Sequence, residues 1–287
     1  MISFTPALAV ALGTAVGWSL FDLQRRFLSS RMSAWALVVW VTVPAMPIFA
    51  AWAVIAGETR LDSGYWSFGA TSVALNVVAN LAYFRAFQLS GLSVTLPLLS
   101  LTPVFSSLLG ALFLAQPVGP REALGIGAVV LGALVLSTSR SGLDRRFRPE
   151  AGSLLMGFVA LCWSITPLLD KLALERSSPA VHGMVLNGGV AAAGVAALWT
   201  GGRAAELRAV RGSALLLLSA VACGAVALGT QLVAIQTVPI GVVETLKRGV
   251  GGALAVVWGR TVFGEPVSAR ILLATALLVV GVGLILL

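Results

Sequence analysis

Charged residues are scarce in this chain. Asp, Glu, Lys and Arg make up 10% of the 287 residues, whereas hydrophobic residues make up 58%. A soluble domain carries about 25% charged residues, so the composition excludes an ordinary soluble protein. The apolar residues fall in blocks of roughly 20, the length that a helix needs to cross a ~30 Å hydrocarbon core. We therefore predict an all-α integral membrane protein that crosses the bilayer many times.

Side chains that commonly carry chemistry are equally scarce. Cys162 and Cys223 lie inside apolar blocks without CxxC spacing, and His182 is the single histidine, with no partner evident in the sequence. The 11 acidic residues lie mostly in connections, whereas an enzyme needs converging acid and base groups. The sequence contains no GxxxxGK[ST] motif, which excludes a P-loop for ATP. We expect no catalytic residues, no metal and no cofactor.

Lysine is rarer than arginine: Lys171 and Lys247 are the two lysines among 19 basic residues. The formal net charge of +8 would suggest nucleic acid in a soluble protein. Here the arginines cluster in short connections, which membrane topology and lipid headgroups explain better. We therefore expect a lipid bilayer and a small-molecule substrate as partners and no nucleic acid. The sequence leaves the oligomeric state open and is compatible with a monomer.

Breaks rich in charge, glycine or proline divide the chain into ten predicted helices. Their approximate spans are 5–27, 33–56, 66–89, 92–115, 119–138, 152–175, 180–200, 212–237, 239–262 and 266–287. Alternate connections carry most of the arginines, so the positive-inside rule predicts both termini outside. The Ala/Gly/Arg-rich, lysine-poor composition favours a bacterial cytoplasmic membrane.

The two halves of the chain resemble each other. GWSLFDLQRRFL (17–28) aligns with CWSITPLLDKLA (162–173), and FQLSGLSV (87–94) aligns with IQTVPIGV (235–242). Because five helices is an odd number, the second half must be inverted in the membrane relative to the first. Inverted repeats are a transporter architecture with a site near the midplane. We predict repeats at 1–139 and 152–287, joined by a basic loop at 140–151.

With this repeat, the sequence resembles the drug/metabolite transporter superfamily, specifically proteins with two EamA domains. The resemblance covers about 7–138 and 154–287. It rests on the helix-4 run SVTLPLLSLTPVFSSLLGALFL followed by QPV, on the helix-9 run ending in FGEPV, and on Trp-Ser in helices 1 and 6. It implies a ten-helix secondary transporter that works by alternating access around a central cavity. That cavity would be lined mainly by helices 1, 3, 4, 6, 8 and 9, and the fold name does not choose the substrate.

The Lys-Arg pair of helix 9 is similar to the helix-9 pattern of sugar-phosphate translocators, where the pair binds the substrate phosphate. This resemblance implies that Lys247 and Arg248 are anion ligands. Those translocators also place a lysine in helix 4 shortly before a Glu-Pro. This sequence has Leu99 at that spacing before Thr102-Pro103, which argues against a sugar phosphate specifically.

The stretch Glu244–Lys247–Arg248 is the main candidate site. Lys247 lies about eight residues into helix 9, or ~12 Å deep, close to the midplane of the bilayer. A charge there costs ~2.5–3.5 kcal/mol on insertion scales and normally faces a cavity or a partner. The three residues are spaced i, i+3 and i+4. They form either an internal ion pair or an anion site, because one carboxylate neutralises only one of two cations.

Further polar and aromatic residues within the predicted helices are candidates to line a cavity. The remaining substrate-binding candidates are Asn76, Asn80, Tyr83, Thr95, Ser100, Gln231, Trp18 and Trp163. Four charged residues lie toward helix ends, where they could snorkel to the interface. These predicted gate or interface charges are Asp22, Arg85, Asp170 and Lys171.

Three functional hypotheses follow. The first is a secondary active transporter, an exporter or exchanger, for small amphipathic metabolites whose carboxylate or phosphate meets Lys247 and Arg248. The second is a proton-coupled exporter of amino acids or drugs, with Glu244 as the coupling carboxylate. The third is a membrane-embedded transferase, which the scattered acidic residues favour least.

Overall fold

The fold is described here from a computed structural model. The description covers residues 6–29, 31–89, 96–138, 151–208, 214–264 and 266–287. Within these ranges the chain forms ten α-helices and two short 3-10 helices. The α-helices are α1 Pro6–Leu28, α2 Ala34–Ile55, α3 Tyr65–Leu89, α4 Thr102–Phe113, α5 Pro120–Thr138, α6 Ala151–Leu174, α7 Pro179–Thr200, α8 Ala214–Thr237, α9 Ile240–Phe263 and α10 Ala269–Leu286.

Nine of these described helices end within three residues of the predicted spans, and the exception is helix 4. The predicted span 92–115 begins outside the described residues, and its described part opens as a 3-10 helix, Leu96–Leu101. The α-helix starts only at Thr102, with Pro103 in its first turn. Proline lacks an N–H donor and fits the first turn of a helix but not its interior. The prediction of one continuous helix was therefore wrong in this part.

Six of the described helices are long and apolar enough to cross a membrane. Their spans are Pro6–Leu28, Ala34–Ile55, Leu154–Leu174, Pro179–Thr200, Ala214–Thr237 and Ala269–Leu286. The helix α9 is not among them because it carries Glu244, Lys247, Arg248 and Arg260. The predicted multi-pass membrane protein is thus supported by the apolar helices, and α9 is the helix in which charge interrupts the pattern.

The most extensive packing joins the two halves of the chain. The helix α3 packs on α6, α1 on α8, α2 on α7, and α5 on α10. The largest hydrophobic cluster includes Leu8, Leu232 and Leu246, from α1, α8 and α9. Every one of these four helix pairs combines a helix before residue 139 with one after residue 150, so the interior is built mainly from contacts between halves.

Small residues allow two of these crossings to be close. A Cβ atom added to Gly125 would lie 2.8 Å from the carbonyl oxygen of Gly281, so the backbones of α5 and α10 nearly touch. A Cβ atom on Gly17 would lie 3.1 Å from the Cβ of Ala227, where α1 crosses α8. Close helix approach at small residues replaces the missing hydrophobic driving force within a bilayer.

The connection between α2 and α3 is bound to the connection between α6 and α7. The backbone N–H of Asp62 donates to the carbonyl of Arg176 at 2.8 Å, and Leu61 forms an isolated antiparallel bridge with Ser177. The hydroxyl of Ser178 donates to the carbonyl of Glu58 at 2.6 Å. The same hydroxyl accepts from the N–H of Val181 and caps α7. These contacts hold the two helical hairpins together at one end of the bundle.

Candidate functional site

The charged stretch of α9 is the first part of the site. The Nζ atom of Lys247 lies 2.7 Å from Oε1 of Glu244, one helical turn earlier. The Glu244 side chain is 3% exposed and that of Lys247 is 18% exposed. This i, i+3 ion pair is one of the two that the sequence spacing allows, the other being Glu244 with Arg248 at i, i+4. Glu244 and Lys247 therefore neutralise each other inside the helical bundle.

Arg248 has a different environment. It is half-buried, and its Nε atom is buried without a hydrogen-bond partner among the described residues. Glu244 is already paired with Lys247, so the stretch carries one more positive than negative charge. A buried polar atom without a partner costs ~1–3 kcal/mol, and more when it is charged. Such an atom in a native structure calls for an explanation, such as a functional role, a bound water or an ion.

Trp18 connects the ion pair to two neighbouring helices. Its indole N–H donates to Oε1 of Gln231 at 2.8 Å, which ties α1 to α8. The Nζ atom of Lys247 lies 5.6 Å from the centre of the Trp18 ring, within the range of a cation–π interaction. Gln231 is buried and Trp18 is half-buried. The structure thus brings together three of the predicted site residues, Trp18, Gln231 and Lys247.

A second aromatic pair lies between α3 and α6. The ring centroids of Tyr83 and Trp163 are 5.3 Å apart. Tyr83 also lies within electrostatic range of Asp22, Arg25 and Arg248. The predicted residues Tyr83 and Trp163 are therefore in contact, and Tyr83 links this pair to the charged stretch of α9.

The other predicted binding residues are not brought to the charged stretch by any contact that we observe. The Asn76 and Asn80 amides donate to backbone carbonyls four residues earlier in α3, at 3.1 and 2.7 Å. Ser100 is buried in the 3-10 helix before α4. Thr95 lies outside the described residues. The amides of α3 lie on the same helix as Tyr83 but use their donors locally.

The predicted gate charges have different surroundings. Asp22 is exposed and pairs with Arg25 at 2.5 Å, one turn before the end of α1. Arg85 is exposed near the end of α3. Lys171 donates to the carbonyl of Gln236 at 3.2 Å, so it does not pair with its neighbour Asp170. Asp170 is buried, so the expectation that its side chain snorkels to the interface was wrong.

Asp170 belongs to a buried network that the sequence analysis missed. Its Oδ1 atom lies 3.0 Å from Nε2 of His182, and it also accepts a hydrogen bond from the hydroxyl of Ser72. The hydroxyl of Tyr65 lies 2.8 Å from Nδ1 of the same imidazole. The network joins α3, α6 and α7. Asp170 and His182 flank one short connection between antiparallel helices, a sequence signal that could have paired them.

Within the described ranges no group of three or more His, Cys, Asp or Glu side chains could hold a metal ion. A small cleft lies at the start of α9 rather than beside Lys247. It is lined by Ser107, Gln116, Pro117, Val118, Glu122, Ile126, Pro239, Gly241 and Val242. It has room for little more than one water molecule, whereas metabolite pockets measure ~300–1,000 Å³. This cleft is therefore not a candidate for the substrate site.

Buried charges, apolar helices and extensive packing between halves define a multi-pass membrane protein with ionic groups in its interior. A model of the EamA-like transporter family matches residues 5–138. The first half of the chain therefore resembles an EamA-like transporter domain, and the match supports a membrane transporter of the drug/metabolite transporter type. This match supports the expected superfamily. The second EamA domain and the similarity to sugar-phosphate translocators stay predictions.

The fold is also found in a solved structure. A protein of known crystal structure aligns with a TM-score of 0.78 at 18% sequence identity, covering 98% of this chain and 96% of that one. At this identity the likeness shows the fold alone. None of the curated proteins compared with the chain matches it.

Proposed function

We propose that this protein is a secondary active transporter, an exporter or exchanger, for small amphipathic metabolites. The substrate carries a carboxylate or phosphate that meets Lys247 and Arg248. The observation that carries the proposal is the buried Nε atom of Arg248, which has no partner among the described residues. It lies beside a Glu244–Lys247 pair that is already neutral.

Charge balance supports an anionic ligand at this position. A cation near the midplane of a bilayer is costly and normally has a partner or faces a cavity. The guanidinium group offers a planar fork that matches the oxygens of a carboxylate or phosphate. An anion bound at Arg248 would therefore supply the missing negative charge, whereas the Lys247 ammonium would add a second contact by shifting away from Glu244.

The aromatic surroundings support an amphipathic substrate. Trp18 lies beside Lys247, and the Tyr83–Trp163 pair joins α3 of the first half to α6 of the second. Ligand sites combine such apolar surfaces with a few polar groups that fix orientation. The proposed site therefore accepts an anionic group at α9 and an apolar part against these three rings.

Two equivalent contacts support the proposed inverted repeats at 1–139 and 152–287. Trp18 of α1 contacts Gln231 of α8, and Trp163 of α6 contacts Tyr83 of α3. Trp18 and Trp163 correspond in the repeat, as do Tyr83 and Gln231. Repeats related in this way place a substrate site between the halves and permit alternating access. We also propose a bacterial cytoplasmic membrane with both termini outside, which a reporter fused to the C-terminus would test.

The alternative, proton coupling through Glu244, has less support because that carboxylate already forms an ion pair with Lys247 at 2.7 Å. Flux that follows a pH gradient and is lost in Glu244→Gln would favour it. The family match favours transport over a membrane-embedded transferase.

Binding and flux measurements test the proposal. Purified protein is screened for thermal stabilisation by inorganic phosphate, small carboxylates and a metabolite library, and the hits are assayed for flux in proteoliposomes. We expect Arg248→Ala and Lys247→Ala to lose the stabilisation and the flux while still folding and inserting. A charge-assisted hydrogen bond is worth ~1.5–3 kcal/mol, so affinity falls about tenfold to a hundredfold.

Arg260→Ala is the matched control, because Arg260 is an exposed arginine in the last turn of the same helix. We expect it to behave like the wild-type protein. Normal binding and flux in both the Lys247 and Arg248 variants would remove the anion site.

A further inference from the structure

The four-residue network of α3, α6 and α7 is closed off from its surroundings. We call the side chains of Tyr65, Ser72, Asp170 and His182 the histidine network. Each of these residues is at most 3% exposed. The network runs from the Tyr65 hydroxyl through the imidazole to Oδ1 of Asp170, which also accepts from Ser72. A histidine and a carboxylate buried together in a membrane helix bundle are a functional site by default.

His182 is the group best placed to neutralise Asp170. The helices α2, α4 and α8, which pack around the network, carry no Asp, Glu, Lys or Arg, and Cys223 is the one titratable side chain among them. On α6, Lys171 is directed to the carbonyl of Gln236, and Cys162 lies two turns from Asp170.

The remaining charged groups nearby lie at the end of the bundle or far along α3. Arg176 is exposed and lies against Gly64, just before α3. Arg60 pairs with Asp62 in the connection. Along α3 itself, Tyr83 and Arg85 lie three or more turns beyond Ser72. None of these groups lies between the carboxylate and the imidazole.

Hydrogen bonding defines two arrangements that differ by one proton. In the first, the Tyr65 hydroxyl donates to Nδ1 and the Nε2–H group donates to the carboxylate, which leaves one net negative charge. In the second, an added proton converts the pair to imidazolium and carboxylate, or to imidazole and carboxylic acid, and the net charge is zero. An uncompensated buried charge costs several kcal/mol, and only the second arrangement leaves the pair without a net charge.

This property distinguishes Asp170 from the other buried carboxylate. Glu244 has the side-chain nitrogen of Lys247 at 2.7 Å. The counter-ion of Asp170 is a histidine, which is cationic only when it has taken up a proton. We propose that the histidine network is a proton-binding site and that the proton is the coupling ion of this protein. The second part rests on the proposed transport function.

The histidine network lies near one end of the helical bundle. Tyr65 begins α3, Asp170 lies in the last turn of α6, and His182 lies in the first turn of α7. The contact between Leu61 and Ser177 lies at the same end of the bundle. The network therefore lies next to the end of the bundle at which these two connections meet.

The single histidine of the chain makes a direct test possible, because labelling with ¹⁵N-histidine reports on His182 alone. The imidazole nitrogens are observed by NMR in purified protein between about pH 5 and about pH 9, the range in which histidine charge changes. We expect the wild-type ring to pass from an Nε2–H neutral form to the doubly protonated form. In Asp170→Asn we expect it to stay neutral.

Tyr65→Phe keeps the ring packing and removes the hydroxyl at Nδ1, and it provides a second variant if Asp170→Asn does not fold. We expect this variant to show a mixture of the two neutral forms. Identical pH responses in wild type and the variants, or a wild-type ring that never changes its protonation, would overturn the proposal.

Coupling is tested separately in proteoliposomes with a substrate found by the thermal screen. We expect a pH gradient to accelerate wild-type flux and to have no effect on His182→Gln, which still exchanges substrate without a gradient. Glu175→Gln, an exposed acidic residue beyond α6, is the control and should keep the gradient dependence. If wild type shows no flux at all, the transport function fails whereas the NMR result still decides the proton site. If wild-type flux ignores the gradient, the coupling role is overturned.

Discussion

Two buried charged clusters differ in how they satisfy their charges. The histidine network pairs each of its hydrogen-bonding side chains with another member from α3, α6 or α7. The α9 stretch pairs Glu244 with Lys247 but leaves Nε of Arg248 without a partner among the described residues. The first cluster is internally complete and can change charge only through a proton. The second is internally incomplete, which is the property expected of a site that receives a charged ligand.

We expect the largest effect on stability from a substitution that breaks the histidine network. Asp170→Ala removes the acceptor shared by Ser72 and His182 and leaves both buried without it. Breaking a buried pair on one side costs ~3–5 kcal/mol, so we expect a loss of that order in the free energy of unfolding, measured by denaturant titration in detergent.

The matched control for that prediction is Asp22→Ala. Asp22 also pairs with a basic residue, but its side chain is 59% exposed. Exposed pairs contribute ~0–1 kcal/mol, so this variant should be nearly as stable as the wild type. Equal losses of unfolding free energy in the two variants would show that the burial of Asp170 has no energetic consequence, which contradicts the prediction.

We expect a smaller effect, on anion affinity, from a substitution in the α9 stretch. Glu244→Gln removes the one carboxylate of the stretch and leaves both Lys247 and Arg248 positively charged. If the stretch binds anions, affinity for the phosphate or carboxylate that stabilises the wild type should rise, by about tenfold for ~1.4 kcal/mol. Isothermal titration of the purified variant measures it. A weaker affinity would mean that Glu244 contacts the ligand or positions Lys247 for it.

The smallest expected effect concerns the wall of the α9 site. Trp18→Phe keeps an aromatic ring near Lys247 and removes the indole N–H that donates to Gln231. One hydrogen bond contributes ~0.5–1.5 kcal/mol net, so we expect a small decrease in thermal stability. In a double-mutant cycle, Trp18→Phe should no longer lower the stability once Gln231→Leu is present. Additive losses would show that the two side chains do not interact.

Much of this site could be predicted from the sequence because it depends on neighbours along one helix. Glu244 and Lys247 are three residues apart, so any α-helix brings them together. The correspondence of Trp18 with Trp163 could also be predicted, because the repeat is a property of the linear sequence. The partners of these tryptophans could not be predicted, because Gln231 and Tyr83 contact them from other helices.

The histidine network shows where such reasoning stops. Asp170 was predicted to be a gate or interface charge near a helix end, and the sequence shows no partner for His182. Tyr65 and His182 are separated by 117 residues along the chain, and no local pattern relates them. Their contact depends on how α3, α6 and α7 are rotated about their axes, which the packing of the whole bundle sets.

The sequence by itself determined the membrane-spanning character, nine of the ten helix spans and the spacing that allows an ion pair within α9. These depend on the length of apolar runs and on spacing within one helix, both of which are local quantities. Only the tertiary structure decided that Asp170 and His182 share a buried network, that Nε of Arg248 has no partner among the described residues, and that the described part of helix 4 opens as a 3-10 helix. The reason is physical: whether a buried charge is satisfied depends on the groups that other helices bring to it.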